Sequence, residues 1–349
     1  MKKLNFTYIF IFAFTLVSVG LYAGNKDRVG QAGATELLIN PWARSSGMHS
    51  LNQASTRGLE AMRLNVGGLA FTNKTQVILA SGRWLSGSDI TLTTFGLAQA
   101  VGETGVLGVN VSSMSFGDIE RTVTSNPSGT GGNFRPSYTN IGIAYSKSFS
   151  ESIHGGVLLR IITHSISDGA ATGVAFDTGI QYVTGENDHI KFGIALRNVG
   201  TPMKLRGDGL EKSAVNDVGE ETTFSERTEA YELPSLLHIG GAYDLYFGDD
   251  TRLTLAANFT SNSFRNDFLG GGIEFAFREM FMLRAGYKYE DGALDDLQVA
   301  NSALTGLAAG LTVELPLGKE SESKIGFDYS YRTTHIYNGV HSLGIKIDL

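Results

Sequence analysis

Lys324-Ile325-Gly326-Phe327-Asp328-Tyr329-Ser330-Tyr331-Arg332 puts a large apolar or aromatic side chain at every second position, with Lys, Gly, Asp, Ser and Arg between them. Successive side chains of a strand point to opposite faces, so this segment has one greasy face and one polar or small face. His189-Ile190-Lys191-Phe192-Gly193-Ile194-Ala195-Leu196-Arg197 repeats the pattern. So do Val174, Phe176, Ile180 and Tyr182, set against Ala175, Asp177, Gly179 and Gln181. A water-soluble sandwich also alternates, but it turns its charges outward and rarely uses so much Gly. A greasy face that is aromatic and aliphatic along its whole length, backed by Gly, Ala and mixed charge, suits a barrel with lipid outside and a wet or plugged interior.

Composition supports that reading. The 349 residues include 44 Gly, 20 Phe and 13 Tyr, only 18% are charged, and there is no Cys. A soluble domain carries about a quarter charged residues. The missing Cys removes disulfide scaffolds, thiolate catalysis and Cys-ligated zinc. A net charge of −7 speaks against a general nucleic-acid binder, which needs a basic face.

Fourteen strands are expected, at 75–85, 89–101, 104–117, 137–149, 152–165, 172–184, 189–199, 233–246, 251–262, 266–277, 281–290, 303–315, 322–333 and 338–349. An even number lets an antiparallel transmembrane β-barrel close, and closure is required because an open edge cannot be satisfied in lipid. Links after even-numbered strands are short. The long ones, around 118–136, 166–171, 200–232 and 291–302, all follow odd-numbered strands. Outer-membrane barrels separate short periplasmic turns from long external loops in this way. The six Pro fall in loops, at strand ends or before the barrel, where no ladder hydrogen bond is lost.

Before the barrel the chain reads differently. Lys2 and Lys3 precede an apolar run from Phe6 to Val19, the form of a signal peptide over 1–23, with cleavage expected after Ala23 and Gly20 as the alternative. Residues 24–74 do not alternate and are half apolar, so they are expected to plug the lumen beneath the barrel, which occupies 75–349.

Ala43-Arg44-Ser45-Ser46-Gly47-Met48 and Asn65-Val66-Gly67-Gly68-Leu69-Ala70 resemble the opening of the PorV/PorQ family, whose members are similar to FadL-type fourteen-stranded barrels. Val66 stands where that family usually has Pro. Phe116-Gly117-Asp118-Ile119-Glu120-Arg121, Phe176-Asp177-Thr178-Gly179 and Phe192–Gly200 are similar to later family blocks, and Ser342–Leu349 resembles the terminal strand read by barrel-assembly machinery. The resemblance implies an outer-membrane component of the type IX secretion system. Such a component binds secreted cargo proteins, or their C-terminal signal domains, and passes them to other secretion-system proteins at the cell surface. The alternative is a FadL-like transporter of hydrophobic small molecules, which calls for an apolar pocket or a lateral opening. A third reading is an accessory barrel of another transport complex.

No catalytic, cofactor or metal residue is expected. The seven His lack metal-ligand spacing, no Gly-x-Ser-x-Gly elbow is present, and Phe268-Leu269-Gly270-Gly271-Gly272 lies in a strand pattern where close packing or a bend explains the glycines. His154 and His238 face the lumen by alternation. Glu290, Asp291, Asp295 and Asp296 suit Ca²⁺ in chemistry, though a solvated acidic loop is the simpler reading. Inward-facing Arg160, Asp177, Lys191, Arg197, Arg284 and Asp328 mix both signs, which suits a water-filled channel or, preferably, a salt-bridged plug. The loop 200–232 carries eight carboxylates against four basic residues between Lys204 and Glu232. Ile119, Arg121 and Phe134 in one long loop, and Met203, Leu205, Phe224 and Tyr231 in the other, are the candidate partner contacts.

Overall fold

In the computed structural model, Asp328, Ser330 and Arg332 of the strand quoted first are at most 4% exposed, whereas Phe327 is 45% exposed. The polar face is therefore inside and the greasy face outside, the inverse of a water-soluble sandwich. The structure describes residues 24–215, 217–290, 304–318, 323–334 and 337–349. The expected signal peptide and the acidic positions Asp291, Asp295 and Asp296 lie outside them.

Fourteen antiparallel strands form one closed barrel. They are β1 (Thr75–Arg83), β2 (Thr91–Val101), β3 (Gly105–Ser115), β4 (Ser137–Ser148), β5 (Ile153–Ile166), β6 (Gly169–Thr184), β7 (Ile190–Gly200), β8 (Leu236–Phe247), β9 (Thr251–Asn262), β10 (Phe268–Phe277), β11 (Phe281–Glu290), β12 (Gly306–Pro316), β13 (Lys324–Arg332) and β14 (Val340–Asp348). Each overlaps an expected strand. β14 closes the ring on β1, from Gln76 opposite Asp348 to Arg83 opposite His341. No helix of the described residues is long and apolar enough to cross a membrane.

One loop differs from expectation. The link around 166–171 is a tight turn at Ser167 and Asp168, and β6 begins already at Gly169. Gly169-Ala170-Ala171 looks like turn sequence, yet Ala171 is buried against Met203 and Leu37, which a larger residue would displace.

Residues 24–74 fill the lumen with short helical turns. Trp42, Leu59, Met62, Val66 and Leu69 pack on Ile78, Ala80, Ala98, Val106, Ala144 and Leu158 of the wall. The segment runs through the barrel, from the outer mouth, where Arg28 pairs with Glu232 at 3.0 Å, to β1 at the periplasmic end. Inside it, the backbone N–H of Ser45 donates to Glu60 at 3.0 Å, tying two turns together.

The Gly content of the wall follows from this contact. A methyl on Gly96 would collide with Leu59, one on Gly108 would sit 2.7 Å from Met62 Sδ, and one on Gly270 would sit 2.5 Å from Leu51. The Gly270–Gly272 run of β10 is thus a close-packing surface for Leu51 and Met48. The Gly96→Val variant should lose about 1–3 kcal/mol of stability in detergent, whereas Thr93→Val, one turn of the pleat away on the outer face, should change it by less than about 0.5 kcal/mol. Urea unfolding of both variants reads the difference, and equal midpoints would mean the plug does not press on β2.

Candidate functional site

Three external elements meet above the rim. Loop 116–136 is braced by a short antiparallel pair, Ile119 opposite Phe134. Loop 201–235 starts with another, Met203 opposite Tyr231, and then docks on the outer end of β6. There the backbone N–H groups of Ala170 and Arg206 each donate to the other's carbonyl, at 2.8 and 2.9 Å. Arg206 is followed by Gly207, at φ 135°, where a side chain would collide with the Asp168 carbonyl. Arg121 then reaches across to donate to Ser167 Oγ at 3.1 Å.

Between them lies a groove of about 570 Å³. Ile119, Phe134, Ile166, Leu205 and Leu210 give it an apolar lining, and Glu120, Arg121, Ser167 and Asp168 a polar edge. Leu205 connects the groove floor to a buried cluster of Met203, Leu37, Ile162, Ala171, Ala175 and Leu233. Four of the seven expected contact residues, Ile119, Arg121, Phe134 and Leu205, converge here. The other three do not. Met203 is fully buried and packs rather than presents. The Tyr231 hydroxyl is bonded to His164 Nδ1 at 2.9 Å, and burial, helped by Glu36, pushes its pKa up. Phe224 stands on the hairpin of Glu211–Val215 with Glu221–Ser225, 53% exposed and apart from the groove.

The inward charges are mostly paired. Arg160 Nη2 donates to Asp177 at 2.8 Å, and Asp177 also accepts the backbone N–H of Asn198 at 2.6 Å. Asn198, at φ 57°, marks a bulge where the β6–β7 register slips between Phe176 and Thr178, while pairing continues on both sides. The wall therefore shows no lateral opening there. Lys191 bonds Asp244, and Arg252 bridges Glu274 at 2.9 Å and Glu279 at 2.7 Å. Arg284 bonds Glu274 and, through Thr312, reaches Asp328. From the plug, Arg44 joins Glu314, which also takes Lys346 at 2.7 Å. Arg44, Lys191, Asp244, Arg252, Glu274 and Glu314 line a polar vestibule of about 450 Å³ at the periplasmic end. Of the inward cations expected from the sequence, Arg197 alone meets no carboxylate among the described residues, and its Nη1 lies 3.3 Å from His238 Nε2.

His154 and His238 are lumenal hydrogen-bonding groups, to Ser148 at 2.9 Å and Thr260 at 2.8 Å. Sequence reading missed Asp244, Arg252 and Glu274 as lumen partners and Ile166 and Leu210 as groove residues. Period-two alternation marked their faces but not their neighbours.

No family model matches the chain, and no curated protein does. Among solved structures it is similar to the Pseudomonas putida toluene transporter TodX, at TM-score 0.53 and 13% identity over 88% of this chain and 97% of that one. The CymD monoaromatic hydrocarbon channel gives 0.53 and 12% over 89% and 97%. A Pseudomonas aeruginosa FadL homologue gives 0.50 and 12% over 88% and 97%. At these identities the likeness is one of fold, the closed fourteen-stranded antiparallel barrel. The PorV/PorQ resemblance gains no support from any of these matches.

Asp177 is fully buried and Arg160 is 3% exposed. Removing the carboxylate alone (Asp177→Ala) leaves a buried cation unpaired and should cost about 3–5 kcal/mol. The double variant with Arg160→Met should recover a large part of that loss. A double-mutant cycle by urea unfolding checks it, and additive losses would show that the two side chains do not act as a pair.

Proposed function

We propose that this protein takes up small hydrophobic molecules across the outer membrane and that the external groove is where they are first captured. The observation that carries the reading is the groove itself. Its volume of about 570 Å³ falls in the range of small-molecule sites, and its lining is apolar with a few polar groups at the edge. Its floor residue Leu205 continues into an apolar cluster that includes Leu37 of the plug, so the route inward is greasy at its start. The fold likeness to a toluene transporter and a monoaromatic hydrocarbon channel supports the same class. A mixed-charge bore would count against it, but most of these charges are spent on one another and on the plug, as the Arg44–Glu314 contact illustrates.

Toluene is the probe. The purified protein should bind it, measured by headspace partition, and Leu205→Asp should weaken binding at least about tenfold, or ~1.4 kcal/mol, by placing a charge in the groove floor. Equal affinity in the variant would remove the groove from the route. No binding by the unaltered protein would remove the function.

A second reading, a surface platform for secreted proteins, is favoured by one feature. The hairpin over 211–225 stands clear of the barrel, with Val215, Val218 and Phe224 each more than half exposed. The likeness to solved channels lends this reading nothing. On it, removing 211–225 leaves the barrel and its toluene binding intact but abolishes co-purification of secreted proteins from native membranes. Unchanged co-purification would dispose of it.

A further inference from the structure

Most cations inside this barrel meet a carboxylate, but four do not. Arg63 of the plug, Arg197 of β7 and Arg332 of β13 are each no more than 5% exposed, and Lys288 lies on β11 beside them. No ion pair among the described residues involves any of the four. Three of them, Arg63, Arg197 and Lys288, line one internal cavity together with His49, His238 and Asn258.

The unpartnered donors there outnumber the one unpartnered amide oxygen on the same lining, Asn258 Oδ1. Arg63 donates through Nε to the Ile39 carbonyl at 3.0 Å, and through Nη2 to the Leu37 and Ile39 carbonyls, but its Nη1 has no partner. Arg197 spends Nη1 on His238, and its Nε and Nη2 have none. A guanidinium only donates, so His238 Nε2 must accept, and the His238 proton sits on Nδ1, facing Thr260 Oγ1 at 2.8 Å. His238 is therefore neutral and adds donors to no one in the cavity. Lys288 Nζ rests 4.2 Å from the Phe268 ring centroid, a contact that offsets part of its charge but supplies no acceptor. His49 of the plug lines the same cavity, and its Nε2 is without a partner.

A buried cation without counter-charge is costly, and several around one cavity compound the cost. The cavity measures about 30 Å³, room for one or two water-sized particles, since ~10–15 Å³ holds one. That is too small for an organic acid with a tail. We infer that this cavity is a binding site for one monatomic anion, chloride in ordinary surroundings, held by Arg63 from the plug and by Arg197 and Lys288 from the wall. The anion bridges the plug to two strands and so pins the segment that fills the lumen. This site is separate from the external groove and does not depend on what that groove binds.

The test uses the full chain in detergent with bromide as the probe. Crystals grown in sodium bromide should show a single anomalous peak in the cavity, within hydrogen-bond reach of Arg197 Nη2 and Arg63 Nη1. A cavity holding only water, with no peak, overturns the inference. In parallel, Tm is followed as chloride replaces gluconate at constant ionic strength. It should rise with the logarithm of chloride concentration for the unaltered protein, as expected for a ligand of the folded state, and stay flat for Arg197→Gln. Lys288→Met should behave likewise and serves if the first variant does not fold. The same chloride dependence in a folded variant overturns the inference. So does an equal rise with acetate, which would assign the cavity to carboxylates.

Discussion

Hydrocarbon offers no partner to a backbone N–H or C=O, and that constraint shapes everything else in this molecule. The chain satisfies it by pairing β14 with β1, so that no strand is left as an edge. Once the ring is closed, alternation assigns each residue to lipid or to lumen. Residues such as Phe95, Ile143, Phe192, Leu283 and Leu343 go outward, and Asn110, Arg160, Asp177, Arg284 and Asp328 go inward. The lumen this creates is then occupied by residues 24–74 of the chain itself.

Filling the lumen sets two further requirements. Where the plug is apolar, the wall must retreat to Gly and Ala, as at Gly96 beneath Leu59 and Gly108 beneath Met62. Where the wall is charged, each charge must find an opposite one, because buried ion pairs gain little over a greasy contact but cost heavily when half-broken. Arg160 with Asp177 meets that requirement, and the cluster around Arg197 does not meet it with protein groups alone. With the lumen filled, an apolar recess lies outside it, among loops that the rigid sheet holds in place.

The strands were legible because period two is a local property. Lys324–Arg332 or His189–Arg197 reveals both faces without reference to any other part of the chain. The link at 166–171 was misread because Gly169-Ala170-Ala171 has turn-like composition for a packing reason that only the buried Leu37 and Met203 disclose. Met203 and Leu205 look alike in sequence, yet one is buried and the other joins the groove, a distinction made by the pairing of Met203 with Tyr231. Alternation assigns Lys191 a face, but it meets Asp244 across 53 residues of sequence, and no spacing rule reaches that far. The plug's contributions, Arg44, His49 and Arg63, lie in a stretch without periodicity and were invisible for that reason.

The central claim is that the barrel is closed by its own N-terminal segment. The current through single molecules of the purified full chain in a planar bilayer tests it most directly. A blocked lumen predicts no steady ionic conductance above that of the bare membrane. A stable open-pore current, of the kind a water-filled barrel carries, would contradict it.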